Sequence, residues 1–257
     1  MTATPERITS ASNPLIKEMR KLATSNTAYR KQGRVWLEGD HLSGAALLRG
    51  FKPVIGLFSE SFWPVAQSKW VQAAIKNIVI SDALFAGISG LESAASMGFV
   101  FDLPAQSTLL PTAASVILDR VQDAGNVGSI LRSAAAFGFS QVIALKGTAA
   151  LWSPKVLRAG MGSHFGLRLI ELATEDALAA LSVPMLAASS HASCAIHDLP
   201  LPWPCAWVMG HEGQGVSAAL LRRCAESLRI PQPGGEESLN VAAAGAICLY
   251  ESARQRL

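Results

Sequence analysis

Short apolar runs alternate with segments of helical spacing along most of the chain. Residues 10–32 set Leu15, Met19 and Leu22 near one face and basic residues on the other, which predicts a helix. Residues 34–39 read as a short strand ending in a turn, 41–49 as a helix and 53–60 as a buried strand. Residues 67–76 predict a helix with Trp70, Val71 and Ile75 inward. Residues 77–81 predict another strand, with Asp82 as the cap of the helix after it. Residues 103–114 hold two prolines, small polar residues and no charge, so they make the best linker and divide the chain into 1–105 and 106–257. Beyond them the alternation sharpens. Strands are expected over 115–119, 141–147, 166–171, 184–190, 206–210 and 228–231, and helices over 127–137, 154–160 and 174–181. Hydrophobic strands with helices between them predict a parallel sheet covered on both faces, so the fold class is α/β in both parts. There is no internal repeat and no low-complexity tract.

Composition narrows the function. Of 257 residues, 50% are hydrophobic and 16% charged, so the chain either buries much of its surface or hides part of it in an oligomer interface. No run approaches the roughly 18–20 apolar residues of a membrane span. Residues 1–20 lack the apolar stretch and cleavage site of a secretory signal, and a cytoplasmic location is expected. Cys194, Cys205, Cys224 and Cys248 form no CxxC pair and have no zinc spacing with a histidine, which predicts reduced thiols and no metal. His164 and His191 also lack partners at metal spacing. Net charge is only +3, but its distribution is uneven. Arg7, Lys17, Arg20, Lys21, Arg30, Lys31 and Arg34 are opposed in their stretch by Glu18 alone and are interleaved with Asn26 and Tyr29. That pattern fits a nucleic-acid partner, against the plainer reading of a solvated helix face.

Three segments carry candidate chemistry. VMGHEGQGVS (208–217) runs from a strand into a glycine-rich turn holding Glu212. IPQPGGEESLN (230–240) delivers Ser238 and Asn240 to an Ala-rich helix, and DRVQDAGNVGSILRSAAAFGF (119–139) supplies Asn126 and Arg132. GQGVSA alone fits a dinucleotide fingerprint and would suggest an NAD oxidoreductase. Only about forty residues follow it, though, and Glu236 and Glu237 lie in a loop rather than ending a strand. Each polar residue has a plain structural role open to it: Asn126 as a helix cap, Ser238 as the cap of a helix from Leu239, Glu212 as a turn residue, His211 as a loop histidine. All of the candidate residues nonetheless fall at strand-to-helix junctions, and ligands of open α/β sheets bind at the carboxyl ends of strands.

Together the segments resemble the motifs of the SpoU (TrmH-like) branch of the SPOUT RNA ribose methyltransferases. Asn126, Gly128 and Arg132 match its first motif, and Gly210, Glu212, Gly213 and Gly215 its second. Ile230, Pro231, Ser238, Leu239, Asn240 and Val241 match its third. The match spans residues 115–257. Residues 8–22 and 35–42 look, more loosely, like the substrate-binding domain of ribosomal-RNA members. The resemblance implies a SPOUT domain with a trefoil knot, preceded by a smaller α/β RNA-binding domain. It implies S-adenosylmethionine as methyl donor, a ribose 2′-hydroxyl as acceptor, RNA as partner (ribosomal before transfer RNA) and a homodimer. Gly210, Ile230 and Leu239 would touch the cofactor, with the loop after 184–188 nearby. Arg132 would grip a phosphate; Asn126, Ser238 and Asn240 would position it, and Glu212 would anchor its loop and pair with Arg132. A transfer-RNA enzyme and a catalytically inactive RNA-binding relative are the alternatives.

Overall fold

Five short apolar runs in the first part of the chain, β1 (Glu6–Ile8), β2 (Arg34–Glu38), β3 (Ile55–Ser59), β4 (Lys76–Ile80) and β5 (Met97–Asp102), pair in the order β1-β4-β3-β5-β2. The pairs β1·β4 and β3·β4 are parallel, whereas β5 runs antiparallel to both β2 and β3. The structure is a computed structural model that describes residues 4–234 and 238–257. Leu37, Leu57, Phe58, Ile78 and Phe99 are fully buried in this sheet's core, with Phe58 edge-on to Phe99. The helix expected over 10–32 is two. In α1 (Pro14–Thr24) the cap is Asn13, whose side chain accepts the Leu15 N–H, and Pro14 opens the first turn, where no N–H is needed. Ser25 is extended and ends α1; α2 (Ala28–Gln32) follows and closes on left-handed Gly33. Ile16, rather than Leu15, joins Met19 and Leu22 inside.

The rest of this part is α3 (Asp40–Leu48), α4 (Ser68–Val71) and α5 (Asp82–Ala86). Helix α4 is a single turn, so Trp70 and Val71 are buried as expected but Ile75 is 83% exposed: the chain has already turned to enter β4. Ser81, not Asp82, caps α5 by accepting the Leu84 N–H, and Asp82 instead accepts a hydrogen bond from Ser61 Oγ at 2.8 Å.

The second sheet contains β6 (Ser115–Leu118), β7 (Gln141–Leu145), β8 (Arg168–Ala173), β9 (Met185–Ala188), β10 (Cys194–Ala195), β11 (Ala206–Met209) and β12 (Glu226–Arg229). Every pairing is parallel, in the order β10-β12-β9-β11-β6-β7-β8. Its helices are α6 (Ala124–Ala136), α8 (Ala218–Leu221) and α9 (Val241–Arg254). Val116, Ile117, Val142, Ile143, Leu186 and Val208 are buried, and buried Trp207 donates its indole N–H to Ser252 of α9 at 2.9 Å. The run 174–181 forms a 3-10 turn rather than an α-helix. The last strand falls two residues earlier than expected, which frees Ile230 from the ladder.

Compactness groups the chain as Met1–Ala105 with Trp152–Phe165, and Gln106–Leu151 with Gly166–Leu257. The strip Trp152–Phe165, which includes α7 (Pro154–Gly160), thus leaves the second run of sequence to pack in the first unit. Its aromatic end explains why: Phe165 lies 4.9 Å from Phe51 and 6.1 Å from Phe101, ring to ring. In the second unit β6 has β7 on one side and β11 on the other, which sets the loops leaving β6 and β11 side by side at the carboxyl edge of the sheet.

Candidate functional site

Helix α6 is capped by Asp123, whose Oδ1 accepts the Asn126 N–H at 2.8 Å. The cap expected at Asn126 therefore belongs three residues upstream, and this leaves the Asn126 side chain available. Its Nδ2 donates to Glu212 Oε1 at 3.2 Å, and its Oδ1 accepts from Asn240 Nδ2 at 2.9 Å. Asn240 in turn caps α9: its Oδ1 accepts the Ala242 and Ala243 N–H groups at 2.9 and 3.2 Å. The capping role expected for Ser238 thus falls to Asn240, and Ser238 lies two residues outside the helix cap. The Asn126 and Asn240 side chains each donate and accept, which fixes their amide orientation. A chain of hydrogen bonds running from the Glu212 carboxylate through two amides then ties the loop after β11 to the starts of α6 and α9.

The glycine loop leaves β11 at Gly210. A Cβ there would land on the backbone of Gly215 and Val216, so only glycine fits this close approach. The loop closes on itself: His211 N donates to Gly215 O at 3.0 Å, Gly215 N to His211 O at 2.8 Å, and Gly215 is left-handed at φ 66°. The His211 side chain, which the sequence leaves without a role, knits the turn. Its Nδ1 accepts the Gly213 and Gln214 N–H groups at 2.9 and 3.3 Å.

Glu212 points back at α6. Its carboxylate accepts the Gln122 N–H at 3.1 Å and the Asp123 N–H at 3.0 Å, besides Asn126. The expected pairing with Arg132 is absent: no ion pair joins the two among the described residues, and Arg132 is exposed on α6. Six residues of α-helix turn through about 240° beyond one full circle, so Arg132 leaves the helix on a different side from Asn126. Partial desolvation is the largest single influence on the Glu212 carboxylate and opposes its charge. The N–H donors of Asp123, Gln122 and Asn126 together outweigh it and hold the pKa below the usual 4.5. A depressed carboxylate pKa contributes stability that is fully present above the unfolded value and is lost as pH falls through the folded one. Cofactor affinity should therefore hold from neutrality down to pH 4.5 as far as this loop is concerned, then fall below it. Glu212→Gln should weaken binding at neutral pH and flatten that acid limb; calorimetric titrations across the range check both.

A cavity of about 630 Å³ opens where these loops meet. Gly210, Ile230 and Leu239, the expected cofactor contacts, all line it, together with Glu212, Ser238 and Asn240. The loop after β9, Ala188 to His191, forms another wall, and Arg132 is not among the lining residues. Val216, Leu221 and Leu228 supply apolar surface, and Glu212 is the one charged side chain among the described residues in the lining. Glu236 and Glu237 lie outside the described residues. The cavity suits a sulfonium-bearing nucleoside: it has the volume of a small-molecule site, a backbone wall reachable because Gly210 has no side chain, and a polar acceptor for the ligand to meet. That acceptor is Gln232 Oε1, which is buried with no hydrogen-bond partner among the described residues. Asp123, His211 and Gln232 are the residues that motif reasoning missed. Asp123 carries a readable signal, an Asp three residues before the N–H it caps; Gln232 carries none.

The SpoU rRNA Methylase family model matches residues 113–250. A 23S rRNA guanosine 2′-O-methyltransferase of Bacillus subtilis, RlmP, is 32% identical over 250 residues, covering 95% of this chain and 98% of its own length. An uncharacterized tRNA/rRNA methyltransferase of Synechocystis is 30% identical over 270 residues, covering 100% of this chain and 96% of that protein. The crystal structure of an AdoMet-bound rRNA methyltransferase from Sinorhizobium meliloti superposes with a TM-score of 0.85 at 28% identity, covering 98% of both chains. That of an RNA 2′-O ribose methyltransferase gives 0.80 at 30% identity, covering 97% of this chain and 99% of the other. With its parallel sheet, two motif loops lining one cavity, the third motif hydrogen-bonded to both and relatives matched over nearly their whole length, the chain belongs to the SpoU rRNA methylase family of S-adenosylmethionine-dependent RNA 2′-O-ribose methyltransferases.

Proposed function

We propose that the protein methylates a ribose 2′-hydroxyl of ribosomal RNA. The observation that carries this reading is the Glu212–Asn126–Asn240 chain, which joins all three motif loops beside a cavity with almost no charge. When bound, S-adenosylmethionine supplies an electrophilic methyl group on a sulfonium. The protein's part is to hold the loops around it, chiefly through backbone at Gly210, Ile230 and Leu239, and to bring the ribose oxygen into line. Ser238 and Asn240 belong to the loop nearest the start of α9, and Glu212 anchors its own loop. Arg132 is too basic to serve as a proton acceptor; its planar guanidinium grips the phosphate beside the target ribose.

A homodimer fits the exposed surface. On α9 the exposed residues Ala243, Ile247, Tyr250 and Arg254 form one stripe, and on α6 Ser129, Arg132 and Ala136 form another. Within one chain Arg132 does not line the cavity. A second copy packed on these stripes supplies a route for it to reach a site. The trefoil knot belongs to the same reading, supported by β12 lying between β9 and β10 while α9 returns against α6 and β11. The first unit serves as the RNA-binding domain. Its basic face is smaller than the sequence suggests, because Arg34 reaches Glu18 and Asp102 and Arg20 donates to Gly87 O. Lys17, Lys21 and Lys31 are exposed there. Ribosomal RNA is favoured because RlmP and the Sinorhizobium enzyme, each matched over nearly the whole chain, are named for it; a cytoplasmic location belongs to the same reading.

Incubating the protein with methyl-labelled cofactor and purified RNA tests the reading. Label should enter ribosomal RNA and be recovered after digestion as a 2′-O-methylated nucleoside. Label confined to transfer RNA, or to a base, contradicts it.

A further inference from the structure

We propose that Asp119 and Arg120, just past the end of β6, act as a positioning clamp that presets the glycine loop for cofactor binding. The inference rests on the reading that the cavity beside that loop takes S-adenosylmethionine. The Asp119 side chain is 2% exposed, and its Oδ2 accepts the Ser217 N–H at 2.7 Å. Ser217 is itself the cap of α8, so Asp119 fixes the point where the glycine loop becomes helix. Arg120 closes on the same carboxylate with two donors, Nε at 2.8 Å and Nη2 at 3.3 Å. Its remaining arm, Nη1, donates to Gln214 Oε1 at 3.1 Å. Two consecutive residues thus hold the loop at Gln214 and at Ser217, while Glu212 is held by Gln122, Asp123 and Asn126.

Backbone conformation singles out the same residue. Arg120 is left-handed at φ 58°, a region that a long L side chain seldom occupies. The surroundings enforce it from the opposite side. Thr148 Oγ1 donates to Leu118 O at 2.9 Å and Ala149 N to Val121 O at 2.9 Å. Gly147 leaves room for the Arg120 stem: a Cβ at Gly147 would come within 3.1 Å of Arg120 Cγ. Turning Arg120 left-handed aims its guanidinium back across Asp119 toward the loop. A glycine-rich, exposed loop left untethered would sample many conformations, and binding would have to order it; a tethered loop binds with that ordering already done. The clamp therefore acts on affinity for the cofactor and not on the chemical step.

The test uses the full-length protein and two variants. Arg120→Gly removes the guanidinium and suits the left-handed backbone, so it does not add strain; Gln214→Ala removes the loop-side partner, which also lines the cavity, so amide exchange without cofactor separates a lost tether from a lost cofactor contact. The expected result is a Kd for S-adenosylmethionine raised roughly tenfold in Gln214→Ala, the loss of one charge-assisted hydrogen bond, and at least as much in Arg120→Gly, which also loses its two bonds to Asp119. Amide exchange over residues 213–217 should be faster in the cofactor-free protein. For Arg120→Gly, kcat at saturating cofactor should stay within about twofold, and the double variant should be no weaker than the worse single one, since both break the same contact. Wild-type Kd in both variants, with unchanged exchange, overturns the clamp. So does a fall in kcat at unchanged Kd, which would make Arg120 part of the chemistry. If Arg120→Gly does not fold, Gln214→Ala decides by the same two readouts. Failure of the wild-type protein to bind S-adenosylmethionine refutes the functional reading instead, and the exchange rates then still judge the clamp.

Discussion

Arg132→Ala is expected to lower methyl transfer by roughly 10²- to 10³-fold while the Kd for S-adenosylmethionine stays within about twofold of wild type. The split follows from where the residue stands. Arg132 is exposed on α6, lines no part of the cavity and makes no bond to Glu212, so its removal leaves the cofactor loops untouched. The Glu212 anchor keeps all three of its donors, from Gln122, Asp123 and Asn126. What is lost is a fixed fork for a phosphate, and with it the alignment of the ribose oxygen. Arg132→Lys keeps the charge and loses the fork, so it should recover only part of the rate. Single-turnover transfer and calorimetry measure the two quantities separately. Normal turnover in Arg132→Ala, or a parallel loss of cofactor binding, counts against this assignment.

Gly210→Ala should have the opposite signature: cofactor binding weakened by roughly 100-fold or more, with the rate lost as a consequence. The added Cβ meets the backbone of Gly215 and Val216, which no side-chain rotation can clear, so the whole turn must move. That shift would break the paired hydrogen bonds between His211 and Gly215 and displace the wall of the cavity. Gly213→Ala is the internal control. Its Cβ would come no closer than 3.8 Å, to the His211 ring, an ordinary contact, and its backbone is not left-handed. It should bind the cofactor nearly as wild type. Equal effects from the two alanines would mean that loop composition, and not the close approach at Gly210, governs the site.

The contrast between these two glycines marks how far the sequence is legible. The motif names Gly210 and Gly213 alike, but only the folded turn shows which one faces backbone. The same holds for the helix caps. Asn126 and Ser238 stand at helix starts in the sequence, and local spacing cannot choose between neighbours. The structure gives the caps to Asp123 and Asn240 and so releases Asn126 for a link between Glu212 and Asn240. That link joins residues 86 and 114 positions apart, beyond the reach of any periodicity. Strand and helix order in the second unit was readable because buried parallel strands form dense apolar runs. The first unit was harder: Ile75 reads as inward by helical spacing, but its helix stops at Val71. Strands β1 and β5 went unread as elements. Asp119 reads in the sequence as the end of a strand, with Arg120 just past it; their hold on the glycine loop depends on contacts almost a hundred residues away.

The most direct test of the central claim is a map of ribose methylation across total RNA from cells with and without this gene, restored with wild-type protein or with Arg132→Ala. The account predicts one or more 2′-O-methyl groups in ribosomal RNA that vanish with the gene, return with the wild-type protein and do not return with the variant. Identical ribosomal maps in all four samples, or a site lost only from transfer RNA, would contradict it.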